Sequence, residues 1–63
     1  MTLTQRIGDH VRIPDVFGDE VLDVVMVNAN YGRVMVEIPN TDGTGRIVEY
    51  FTRWYDADRV EPV

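Results

Sequence analysis

Sixty-three residues with no cysteine, one histidine and a net charge of −5 exclude a disulfide scaffold and a metal site built on imidazoles. They also exclude the broad basic stripe that phosphate binding needs. A chain this short hides only about 60% of the surface its unfolded form exposes, so its eleven valines and four isoleucines, or a partner, have to supply the stability.

All six cations are arginine. Arginine codons are GC-rich and lysine codons AT-rich, which points to a bacterial or phage genome. The absence of cysteine fits a reducing compartment. The opening Met1–Arg6 has no apolar signal-peptide core, and the longest aliphatic run, Val24–Val27, is far too short to span a bilayer. The expectation is a cytoplasmic chain without membrane contact. Residues 1–63 are expected to form one domain, frayed over 1–6 and folded over 8–63.

In chain order, Gly8–Ile13 alternates, with Val11 and Ile13 on one face and His10 and Arg12 on the other, which predicts a first strand. Pro14–Asp19 predicts a loop carrying one anchoring aromatic, Phe17. Three runs rich in Val, Ile, Tyr and Phe predict further strands at Glu20–Asn28, Arg33–Pro39 and Arg46–Arg53. The intervening Ala29–Gly32 and Asn40–Gly45 carry the Gly and Asn that tight turns need. Trp54–Asp58 reads as a short helical turn, and Arg59–Val63 as a last strand.

The turns predict a register. With a four-residue loop at Ala29–Gly32, Val27 faces Val34 and Val25 faces Val36. With a turn at Thr41–Thr44, Ile38 faces Ile47 and Val34 faces Phe51. Neighbours across strands share a side, so Val25, Val27, Val34, Val36, Ile38, Ile47 and Phe51 form the expected inner set. Glu49 then falls inward opposite Val36, and a bulge or slipped register near it would move it out.

The opening Gly8-Asp9-His10-Val11-Arg12-Ile13 resembles the Gly-Asp-x-Val-(Arg/Lys)-(Val/Ile) first strand of many SH3-like small barrels. The ending Tyr55-Asp56-Ala57-Asp58-Arg59-Val60-Glu61-Pro62 resembles their single helical turn before a closing strand. The resemblance covers residues 8–63. It implies an all-β, five-stranded SH3-like small barrel with a short helical turn before the last strand, serving as a non-enzymatic docking module. The Ala-Leu-Tyr-Asp-Tyr run of the peptide-binding branch is absent. The KOW-type pattern is incomplete at Val21-Leu22-Asp23-Val24, so the function of neither branch carries over.

No catalytic set is expected: there is no serine or cysteine to act as a nucleophile, and His10 stands alone on an early strand. Asp19-Glu20, Asp56-x-Asp58 and Asp42-Gly43 read as caps and turn residues rather than metal ligands. No cofactor or metal is expected. Two binding readings remain. In the first, a protein partner or a second copy docks on an apolar sheet face of Val24, Met26, Met35, Val48 and Tyr50, rimmed by Arg33, Arg53 and Glu37. The same residues would otherwise be a second core layer. The acidic loop of Asp15, Phe17, Asp19, Glu20 and Asp23 is a second docking candidate, the alternative being a solvated loop with one packed aromatic. In the other reading, Arg33, Arg46, Tyr50, Arg53, Trp54 and Tyr55 form a stacking platform for single-stranded nucleic acid. Glu37, Asp42 and Glu49 cancel its charge locally.

Overall fold

The computed structural model describes residues 4–63. Five strands, β1 (His10–Arg12), β2 (Leu22–Asn28), β3 (Arg33–Thr41), β4 (Ile47–Asp56) and β5 (Glu61–Pro62), form one antiparallel sheet in the order β4-β3-β2-β1-β5. The protein is all-β, as its β-branched and aromatic runs predict. The sheet is open, with β4 and β5 as its edges, so the expected barrel closure is not reached. β5 has only two residues, one of them Pro62, and proline cannot donate to a ladder. Among the described residues no helix is long and apolar enough to cross a membrane.

Val11, Ile13, Leu22, Val24, Val34 and Val36 are each at most 2% exposed, and Tyr55 and Val60 complete the core. The first strand therefore buries the face its alternation predicts. Pro14–Phe17, expected as loop, is a single helical turn α1 (Pro14–Phe17) with Pro14 opening it and Gly18 at φ 61° ending it. Proline suits that first position because its φ is already helical, and glycine suits the left-handed exit. The turn sets Phe17 edge-on against Tyr55, with ring centres 5.9 Å apart and planes at 81°.

The β2–β3 hairpin keeps the predicted four-residue loop, and Val27 faces Val34. Beyond that point the register departs from expectation. A bulge between Val24 and Met26 puts Val24, rather than Val25, opposite Val36. One extra residue reverses which side chains face the core, so Val24 is buried at 1% exposure while Met26 stands 50% exposed.

The β3–β4 register is four residues away from the predicted one: Ile38 faces Phe51 and Val34 faces Tyr55. The turn is wider than expected. The Asp42 N–H donates to the Arg46 carbonyl at 3.1 Å, and the Asp42 carboxylate accepts from the Thr44 hydroxyl at 2.5 Å and its N–H at 2.9 Å. Those Thr44 hydrogen bonds hold the Asp42 carboxyl below its ordinary value of 3.8. The corrected register also accounts for Glu49, which faces Asn40 and accepts from its Nδ2 at 3.1 Å instead of meeting Val36. A second bulge lies beside it, between Asn40 and Thr41, and takes in Val48.

Trp54 and Tyr55, expected in a helical turn, continue β4 opposite Met35 and Val34. The turn itself is a short 3₁₀ segment, Ala57–Arg59, immediately before β5. Ladder hydrogen bonds to β3 outcompete a local turn there. At the chain start, Gln5 is buried, the Arg6 N–H donates to Asp9 Oδ2 at 2.9 Å and the Gly8 N–H donates to the Val24 carbonyl at 2.8 Å. Gln5 and Arg6 are therefore held against the fold rather than frayed, and residues 1–3 lie outside the described residues.

β2 pairs with β3 only as far as Glu37. Among the described residues, β3 and β4 have only each other as ladder partners from Ile38 onward, so the hairpin projects as a two-stranded arm. Ten residues at about 3.3 Å each set most of the 41 Å long axis, against 18 and 16 Å across. The radius of gyration is 11.9 Å, above the roughly 10.6 Å of a compact chain this long.

Candidate docking surface

Cross-strand partners place the outer face of β2, β3 and β4 in rows. Met26, Met35 and Trp54 form an apolar row, flanked by Asn28, Arg33 and Asp56 on one side and Asp23, Glu37 and Thr52 on the other. Pro39 and Tyr50 extend the apolar stripe along the arm. Arg33 Nε reaches Asp56 Oδ1 at 3.4 Å, fixing a charged rim. Beside it, Asn28, Tyr31, Arg33 and Trp54 line a shallow groove of about 280 Å³.

Of the residues predicted to meet a partner, Met26, Arg33, Met35 and Tyr50 do share this face. Val24 does not: the bulge turns it into the core, where no partner reaches it. Val48 is 56% exposed but sits in the second bulge, at the far end of the arm. Met35 is half-buried between its neighbours.

The inner face carries a second groove, of about 330 Å³, where α1 meets the arm; Phe17, Ile38, Phe51, Arg53 and Tyr55 are among its walls. Ile47 and Phe51, expected inside, are 46% and 50% exposed. Phe51 stays on the core side of the ladder, at the open end of the groove it shares with Phe17, whereas the bulge at Val48 turns Ile47, opposite Thr41, to the outer face.

The acidic loop is less free than its composition implies. Asp15 accepts from Arg59, whose Nε lies 2.8 Å away, and Asp23 Oδ1 lies 2.7 Å from His10 Nδ1. Phe17 packs on Tyr55. Only Asp19 and Glu20 stand exposed without a side-chain partner among the described residues.

The nucleic-acid set is divided. Tyr50, Trp54 and Arg33 lie on the outer face, whereas Arg53 pairs with Val36 on the inner one and Tyr55 is buried. Stacking needs the aromatics and the cations in one groove, and the register separates Arg53 from Trp54. Among the described residues no group of three His, Asp or Glu side chains stands close enough to hold a metal ion.

Sequence reasoning missed the part that Trp54, Phe51 and Ile47 play at this surface. The run Ile47–Tyr55 contains no glycine or proline, a signal that would have carried the strand past Arg53. No family model, curated protein or solved structure matches this chain.

Proposed function

We propose that this chain is a non-enzymatic protein-interaction module that docks a protein partner through the β3–β4 arm and the adjoining outer face. The observation carrying this is the exposure of Met26, Ile47, Val48, Tyr50, Phe51 and Trp54, each 37–56% open to solvent on one hairpin and its neighbour β2. Contiguous apolar surface with a charged rim marks interaction sites, and Met, Tyr and Trp are the side chains enriched in interface cores. A two-stranded ribbon is marginal in water on its own, so a partner laid along the arm would also stabilise it. The layout is read as SH3-like: the strand order β4-β3-β2-β1-β5 and the 3₁₀ turn before β5 support that reading, with the arm swung away from closure.

A photo-crosslinking amino acid in place of Tyr50, in cells that make the chain, should give discrete protein adducts. The same group at Glu20 should give none. Met26→Asp should remove the Tyr50 adducts while the circular dichroism spectrum stays unchanged. Adducts at Glu20 and none at Tyr50 would move docking to the acidic loop and overturn the proposal.

A further inference from the structure

We infer that the partner is a second copy of this chain, added antiparallel along the β4 edge about a two-fold axis beside Phe51. The inference rests on the docking reading above and names its occupant.

The first support is the ladder's own alternation. The Ala57 N–H donates to the Gly32 carbonyl at one end of the hairpin, and the Asp42 N–H to the Arg46 carbonyl at the other. In an antiparallel ladder successive residues turn their amides to opposite sides. Glu49, Phe51, Arg53 and Tyr55 therefore direct their backbone groups to β3, and Tyr50, Thr52 and Trp54 present theirs outward from the edge. Among the described residues these three alternate positions have no ladder partner on that side, and a row of unpaired donors and acceptors is a template for another strand.

The two edges of the sheet are unequal. β5 is two residues long and contains Pro62, features that blunt an edge against pairing. β4 is ten residues long with no proline or lysine. Only its far end is interrupted, by the bulge at Val48.

The second support is charge. With the axis beside Phe51, Glu49 of one copy faces Arg53 of the other, and the pair occurs twice. Tyr50 faces Thr52, again twice, so the outward amides meet each other as hydrogen-bonded pairs. Phe51 faces its own counterpart in a close, non-hydrogen-bonded pair, on the groove that α1 leaves open. Glu49 and Arg53 lie on the same face of β4, and neither makes an ion pair within the chain among the described residues. Moving the axis by one residue sets Glu49 against Phe51 or Tyr55 and loses both ion pairs. The strand is self-complementary in one register, and the two-fold closes the assembly at a dimer with a continuous ten-stranded sheet.

Sedimentation equilibrium of four purified chains tests this: wild type, Glu49→Arg, Arg53→Glu and the double exchange. Wild type should be a dimer. Each single exchange places like charges opposite each other twice and should weaken dimerisation about tenfold or more. The double exchange should restore it, with amide spectra confirming that every chain is folded. A wild-type monomer at millimolar concentration would overturn self-pairing, while Tyr50 adducts with a different protein would leave the docking reading standing. A dimer indifferent to all three exchanges would place the contact elsewhere and overturn the β4 register.

Discussion

Val24→Asp is expected to abolish folding, and Met26→Asp, two positions along the same strand, to leave it intact. In a regular strand these residues would share a face; the bulge at Val25 sends Val24 into the core at 1% exposure and leaves Met26 half exposed. An uncompensated buried carboxylate costs several kcal/mol or more. A 63-residue chain holds only about 3–9 kcal/mol in total. Circular dichroism at 25 °C separates the outcomes: Val24→Asp should read as unfolded and Met26→Asp as wild type. A folded Val24→Asp would mean that the bulge is absent and that Val24 belongs to the outer face.

Tyr55→Ala is the second large effect. Tyr55 and Phe51 lie on the same face of β4, yet Tyr55 is 8% exposed under Phe17 and Phe51 is 50% exposed on the arm. Removing a buried aromatic costs about 3–5 kcal/mol, whereas Phe51→Ala should cost about 1 kcal/mol or less at low protein concentration. The Arg59 guanidinium, 6.0 Å from the Tyr55 ring centre, loses its aromatic neighbour in the first variant only. Urea midpoints compared at equal slope report both values. Equal losses would mean that the arm packs back onto the core.

Much of the architecture is legible from side-chain alternation and turn residues. Val11 and Ile13 mark the buried face of β1, Gly32 ends a four-residue loop, and Val27 meets Val34. Reading fails where one residue is inserted. A bulge leaves no mark in a run such as Val24-Val25-Met26-Val27, where every residue is apolar and either parity fits. The β3–β4 register fails for a related reason, because several turns fit Asn40–Arg46 and each sets a different pairing. The carboxylate of Glu49 facing Val36 is the one sign of that error, and the observed register removes it by pairing Glu49 with Asn40.

The candidate surface is half legible. Met26, Met35, Tyr50 and Arg33 are placed together by period-2 reasoning, and the structure keeps them together. Trp54 joins them because β4 continues to Asp56, a strand end decided by pairing with β3 rather than by local preference. Whether the sheet closes depends on β5, whose two residues are too few for periodicity to describe.

The open β4 edge is the central claim, and amide hydrogen exchange read residue by residue at low micromolar concentration tests it most directly. An open edge predicts an alternating pattern, with Phe51 and Arg53 protected by β3 and Tyr50, Thr52 and Trp54 exchanging fast. Protection of Tyr50, Thr52 and Trp54 at every dilution would mean that the chain covers its own edge as a closed barrel, and would contradict the account.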